Sequence, residues 1–296
     1  MRSDLAPGLD DTAVAPTAPA VAAPMAASLA PPLGRAPAPV APGVEAPVVK
    51  RRRRWAVELG VLVLLGIAYT VVRGRWGTDA GAAMAHGHWV LHAEGALFDH
   101  LERPLNSWIV GVPVIAVAAC YFYALMHYLM TPLVLLASRH RGGRQYWRGY
   151  VAIVVASAIA LVSYAAFPAA PPRLLHDIGI TDVMAHFADY GWWGAAASAP
   201  RGIGDATNQF AAMPSLHFGW SLWCAIQMWG LGGRGWRIAA VAYPTLQVLV
   251  VLATGNHFLL DVVGGALCVL AAYGVALAGA RIWAARGARS AAMVAD

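Results

Sequence analysis

Apolar residues along this chain fall into long runs, not the short alternating stretches of a soluble domain. Six runs stand out, at residues 55–72, 108–137, 149–167, 213–231, 236–254 and 257–283. A helix that crosses a bilayer needs roughly 20 apolar residues. The pattern therefore predicts an all-α polytopic membrane protein, a bundle of six transmembrane helices. The second run is longer than a span requires, and Pro132 within it is expected to kink or shorten the helix. Glu58 stands near the start of the first run, where a carboxylate can reach the interface beside an Arg cluster.

The segments between the runs differ in kind. Residues 1–54 form an Ala- and Pro-rich arm ending in Lys50-Arg51-Arg52-Arg53-Arg54. An arm with so few large apolar residues cannot build a core and is expected to be disordered. With no apolar stretch near its start, it does not read as a secretory signal. Residues 55–107 hold the first span and a polar segment carrying Met84, Trp89, Leu91, Leu97, Phe98 and Leu101, which predicts an interfacial amphipathic helix. Residues 168–212 leave the third span through Phe167-Pro168-Ala169-Ala170-Pro171-Pro172-Arg173, and residues 284–296 form a tail.

Composition agrees with the membrane reading. The chain is 59% hydrophobic and 12% charged, about half the charge of an ordinary soluble domain. Its net charge of +6 does not point to nucleic acid, because the cations flank apolar runs. Lys50, Arg51–Arg54, Arg139, Arg141, Arg144, Arg148, Arg234, Arg237, Arg281, Arg286 and Arg289 fall on one side of the predicted spans. The other side has Arg73, Arg75, Arg103, Arg173 and Arg201. By the positive-inside rule the richer side is cytoplasmic, with both termini there. The Arg, Ala and Gly bias reads as a high-GC bacterial coding preference. Cys120, Cys224 and Cys268 all lie within predicted spans and read as packing residues, not a disulfide framework or a metal site.

Candidate chemistry concentrates at two outward span ends. Met213-Pro214-Ser215-Leu216-His217 places Pro214 where a first helical turn tolerates it, and the free N–H groups of a helix start can bind an anion. His217 lies about one turn inside. At the other end, His257 and Asp261 are four residues apart and share a helix face. An Asp beside an imidazole fixes its tautomer, leaving the other ring nitrogen as a directed nucleophile or base. Gly264 would let a second helix come close. The alternative is that His257 and Asp261 only glue helices together, a reading that His217 on the same side weakens.

Pro-Ser-Leu-His at 214–217 and His257-x-x-x-Asp261 followed by Gly264-Gly265 resemble the second and third motifs of the type 2 phosphatidic acid phosphatase superfamily. With Ala-Pro-Pro-Arg at 170–173, the likeness is nearer the inositol phosphotransferase branch, which includes inositol phosphorylceramide synthases. It covers roughly residues 108–283 as a catalytic membrane domain. The resemblance implies a plasma-membrane enzyme with a lipid substrate and no metal or other cofactor. His257 would attack phosphorus to form a phosphohistidine, Asp261 would orient it, and His217 would protonate the departing oxygen. Ser215 and nearby N–H groups would hold phosphate oxygens. Whether water or an alcohol accepts the phosphoryl group stays open, as does the oligomeric state, so a lipid phosphate or polyprenyl pyrophosphate phosphatase is the second reading.

The sequence also departs from the phosphatase pattern. Lys50 is its only lysine, Arg173 follows prolines, and Val251 stands where the phosphatases carry an Arg six residues before the histidine. Fewer cations suit a singly charged diester better than a monoester dianion. Arg173 reads as a phosphate ligand or an interface anchor, and Arg201 as either. Asn208 and Gln209 could bond a headgroup or cap a loop. His127 lines a cavity or makes an interhelical hydrogen bond. His176 and Asp177 contact substrate or belong to an ordinary loop. The histidines at 86, 88, 92 and 100 lack the partners of a known metal site. Trp55, Trp108, Trp236 and Trp283 read as interfacial anchors. A transporter relaying protons through its histidines is the competitor from another class. Such folds show internal repeats and midplane sites, and this sequence has neither signature.

Overall fold

The computed structural model describes residues 47–75, 79–193 and 209–295. The expected disordered arm lies outside them up to residue 46. The elements are helices α1 (Pro47–Arg75), α2 (Ala80–Glu94), α3 (Arg103–Val110), α4 (Pro113–Arg141), α5 (Gly143–Ala166), α6 (Val183–His186), α7 (Leu216–Leu231), α8 (Arg234–Ala253) and α9 (Leu259–Ala295). A π-helical turn, Phe98–Glu102, leads into α3, and single 3-10 turns occur at Pro172–Leu174 and Ala188–Tyr190.

Local chemistry sets the boundaries. Asp79 starts α2 by accepting from the Ala82 N–H at 3.1 Å, and Ser215 does the same for α7 through the Phe218 N–H at 3.4 Å. Gly232 and Gly233, at φ +74° and +82°, make the turn from α7 to α8 that a side-chain-bearing residue would resist. The long second apolar run divides at Gly111-Val112, because Pro113 begins a new helix. α4 then continues through Pro132 to Arg141, so that proline does not end it.

Among the described residues, four helices are long and apolar enough to cross a bilayer: Pro113–Arg141, Gly143–Ala166, Arg234–Ala253 and the Leu259–Ala288 part of α9. The other two expected spans are shorter. The apolar stretch of α1 is Trp55–Ala68. α7 has 16 residues, about 24 Å of helix against a hydrocarbon core of about 30 Å. It is short because its expected first residues, Met213 to Ser215, are spent on an irregular segment that ends in the Ser215 cap.

α7 packs against α4, α5, α8 and α9. One core holds Trp223, Cys224 and Met228 of α7 with Val134, Ile153, Tyr243 and Val269. A second holds Tyr123, Met184, Trp193, Val251 and Val262. The outward faces stay apolar: Val114, Leu133, Val162, Val241, Leu267 and Leu270 are all exposed. So much apolar surface is a liability in water and the expected surface in lipid.

The bundle has two chemically different ends. Arg141 donates to the Leu231 carbonyl and Gln145 to the Gln227 carbonyl, which brings together the end of α4, the start of α5 and the end of α7. There Arg139 and Tyr146 both donate to Glu58 of α1, and the Tyr150 hydroxyl donates to the Glu58 carbonyl at 2.8 Å. Glu58 is thus buried against Arg139 of α4, at the same end of the bundle. At the opposite end meet α2, the loop after α5, and the starts of α7 and α9.

The segment expected to lie along the interface is α2, the π turn and α3. The face α2 buries is made of Ala83, Gly87, Val90 and Glu94, while Trp89, Leu97 and Leu101 are exposed. Small residues point inward because the Ala170 carbonyl would lie 2.7 Å from a Cβ at Gly87.

Candidate active site

The site grows from a short ladder. Ala169 donates to the Phe210 carbonyl at 2.8 Å, and Ala212 donates to the Ala169 carbonyl at 3.4 Å. This pairing aligns the proline-rich exit of α5 with the segment before α7. It aims the Ala212 carbonyl at His257 Nδ1, 3.0 Å away. A carbonyl only accepts, so Nδ1 carries the proton and Nε2 keeps its lone pair. Asp261 Oδ2 lies 3.4 Å from the same Nδ1 and accepts the Phe258 N–H at 2.9 Å. The tautomer is therefore set first by a backbone carbonyl, with the carboxylate beside it.

His257 is held from behind as well. Gly255, at φ +68°, turns the chain out of α8, and a Cβ there would meet Ile180 at 2.7 Å. The Val251 carbonyl then accepts from the N–H groups of both Asn256 and His257. His257 is 4% exposed and Asp261 fully buried. Among the described residues, His257 Nε2 is buried with no hydrogen-bond partner.

His217, in the first turn of α7, has its ring centroid 5.7 Å from that of His257. Tyr123 stacks on it at 4.2 Å and His127 meets it edge-on at 4.6 Å. His127 Nδ1 in turn lies 3.2 Å from the Tyr123 carbonyl one turn earlier on α4. Two further observations lock α7 to α9. The Ser215 N–H donates to the Asp261 carbonyl at 2.9 Å. A Cβ on Gly265 would sit 2.3 Å from the Ser215 carbonyl oxygen, against 3.2 Å from Pro214 for one on Gly264. The Gly-Gly pair thus permits the close approach, with Gly265 as the tighter point.

The structure brings His217, His257, Asp261 and Ser215 to one place. Arg173 is adjacent: its N–H donates to the Gly255 carbonyl at 2.9 Å. Its guanidinium bonds Asp182 at 2.9 Å and Gln209 at 3.0 Å, with Nε buried and unpartnered among the described residues. Ser215 is fully buried, its Oγ serving as the α7 cap. Arg201 and Asn208 lie outside the described residues. His176 and Asp177 are exposed, with Asp177 3.6 Å from His88. An open apolar groove of about 880 Å³, lined by Trp229, Arg234, Arg237 and Ile238 among others, lies at the opposite end of α7 and is not part of this site.

A model of the PAP2 superfamily matches residues 88–275, well over half of the chain and all of the residues just placed together. The chain belongs to the PAP2 superfamily. Members of this superfamily are phosphatases and phosphotransferases, so an enzyme of that broad type follows. No curated protein and no solved structure matches the chain.

The fold of this PAP2 protein adds two site residues that the sequence did not flag. Glu102 Oε1 accepts the Leu259 N–H at 2.9 Å, and Glu94 Oε1 accepts the Leu260 N–H at 2.6 Å. Both carboxylates are buried at the start of α9, beside Asp261. Burial, and then the neighbouring Glu94, push the Glu102 carboxyl up to about 9. Burial also raises Glu94, against the pull of its hydrogen bond with Glu102. The signal lay in the spacing of Ala83, Gly87, Val90 and Glu94, which puts an acid on a stripe of small residues. A third unflagged residue, Asn106, donates to the Thr181 and Ala253 carbonyls and accepts from the Thr181 N–H, fixing the end of α8.

Proposed function

We propose that this PAP2 protein is a lipid phosphotransferase of the inositol phosphotransferase type, working through a phosphohistidine on His257. The observation that carries this reading is the pair of imidazoles with centroids 5.7 Å apart, one of them with a buried, unpartnered Nε2. His257 Nε2 attacks phosphorus as the bond to the leaving oxygen breaks. His217 gives its proton to that oxygen. His217 then takes a proton from the acceptor hydroxyl, whose oxygen displaces His257 and restores the free imidazole. The negative charge of Asp261 stabilises the phosphorylated ring. Ser215 and Arg173 hold phosphate oxygens, together with Arg201 and Asn208. Such chemistry rests mainly on positioning and charge stabilisation.

A phosphodiester donor fits better than a lipid monophosphate. Val251 is fully buried in an apolar cluster, where the phosphatases carry a cation. Arg173 already shares its charge with Asp182, and Glu94, Glu102 and Asp261 crowd the start of α9. A dianion would meet more repulsion there than a monoanion. In the membrane, the apolar parts of α1 and α7 complete six spans with the four longer helices, and α2–α3 lie at the interface. The Arg-rich end is cytoplasmic with both termini, and the histidines face the extracytoplasmic side of the plasma membrane.

The test is an assay in detergent with chelator present, comparing labelled phosphatidylinositol, phosphatidic acid and a prenyl pyrophosphate for wild type and His257→Ala. The expected result is a new phosphodiester from the inositol lipid and an acid-labile phosphoprotein, both lost in His257→Ala. Rapid release of free phosphate from phosphatidic acid, with the diester ignored, would replace this reading with a phosphatase.

A further inference from the structure

We infer that Glu94 and Glu102 form a proton-sharing pair that clamps the first turn of α9 and thereby positions His257 and Asp261 for the transfer proposed above. The inference rests on that reaction for its kinetic consequence, and on the placement and burial of the two carboxyls for the shared proton.

Three successive N–H groups open α9, and each donates to a different carboxylate. Phe258 donates to Asp261 at 2.9 Å, Leu259 to Glu102 at 2.9 Å and Leu260 to Glu94 at 2.6 Å. A helix start normally offers such groups to solvent, a cap residue or an anion. Here they are taken, by side chains reaching from α2 and the π turn more than 150 residues earlier. Asp261 caps the turn with the same Oδ2 that faces His257 Nδ1, so the register of this turn sets the position of the imidazole.

The second oxygens complete the argument. Glu94 Oε2 and Glu102 Oε2 are both buried, and neither has a hydrogen-bond partner among the described residues. The two side chains lie within hydrogen-bonding reach of each other, and the charged groups acting on them are each other and Asp261. Three carboxylates ionised together, 6%, 1% and 0% exposed, would repel across a low-dielectric space. One proton between the two Oε2 atoms gives each a partner and removes one charge. The pair then carries a single negative charge and keeps both Oε1 atoms on the backbone. The Glu102 carboxyl is raised in the folded protein, so the proton is held well above the ordinary carboxylate range and leaves as pH rises through about 9.

Glu102→Gln keeps an acceptor for Leu259 and gives Glu94 a permanent donor, whereas Glu102→Ala removes both. Turnover of labelled phosphatidylinositol would be measured from pH 5 to 10 on the full chain in detergent. Glu102→Ala is expected to lower kcat by about tenfold or more, with KM changed by less than about twofold. Glu102→Gln should stay within about threefold of wild type at pH 7 and lose the fall in kcat that wild type shows near pH 9. Infrared spectra supply a readout that needs no turnover. Wild type should show a protonated-carboxyl C=O stretch at pH 7 that disappears by pH 10 and is absent in Glu102→Gln. Glu102→Gln as impaired as Glu102→Ala, or with the wild-type alkaline fall, would overturn the positioning role. A wild-type spectrum without that band would overturn the shared proton, whatever lipid is turned over. A protein that shows the band but transfers no phosphoryl group would overturn the positioning role together with the reaction, while the shared proton stands.

Discussion

Glu58 and Glu102 are both buried acids on segments outside the main bundle helices, yet their partners differ in kind. Glu58 accepts from a guanidinium and a phenol, Arg139 and Tyr146, and Arg139 also lies 5.0 Å over the Trp55 ring. Its charge is matched by a full opposite charge, and the cluster fastens α1 to α4 and α5. Glu102, with Glu94 and Asp261, accepts from backbone N–H groups instead. Those dipoles satisfy oxygens without cancelling charge. Glu58 is therefore matched where it sits, whereas three acids at the histidine end gather beside two imidazoles. Negative charge gathered there disfavours a highly charged anion.

This contrast can be broken by experiment. The largest effect should come from His257→Ala, which is expected to cut turnover by roughly 10⁴-fold, with the melting temperature in detergent nearly unchanged. If its activity survives, the histidine end is structural like the other. Next, Glu58→Ala leaves the part-buried Arg139 without its carboxylate, a loss of roughly 3 kcal/mol at most, measured as a fall in melting temperature. Turnover per folded molecule should stay within about twofold. A large fall in kcat without destabilisation would erase the distinction between the ends. Third, Gly265→Ala forces α9 away from the Ser215 carbonyl at a cost of about 1–3 kcal/mol, and turnover should fall alongside stability. Equal stability would mean that the two helices slide freely. The smallest effect belongs to His176→Ala. This exposed loop residue should change stability by less than about 0.5 kcal/mol and leave the kinetics alone, and a marked KM increase would extend the site to that loop.

The histidine end was legible in the sequence where local spacing governs geometry. His257 and Asp261 read as neighbours because they are four apart, and they do meet at 3.4 Å, but His257 stands before α9, which begins at Leu259, and not on its face. Pro214 reads into the first turn of α7, whereas Ser215 after it is the cap. The Gly-Gly pair announced a close crossing. What local spacing cannot give is a partner far along the chain. Nothing near Leu259 hints that Glu102 will bond it, and the Ala212 carbonyl that fixes the His257 tautomer carries no side-chain signature. Helix length was misjudged for a related reason. Hydropathy assigns Met213 to Ser215 to a span, but the Ser215 cap and the ladder with Ala169 hold that stretch as an irregular segment. The mixed segment after α1 reads as an interfacial amphipathic helix; the face it buries carries Ala83, Gly87, Val90 and Phe98 together with Glu94 and Glu102, and the two acids are what local spacing did not announce.

The contact of Gly265 with the Ser215 carbonyl has a mechanical meaning. With only backbone at that seam, and the Ser215 N–H tied to the Asp261 carbonyl across it, the start of α7 that bears His217 is pinned to the first turn of α9, just after His257. The spacing of the two rings is thus set by main-chain contact, which no side-chain rotation can relax.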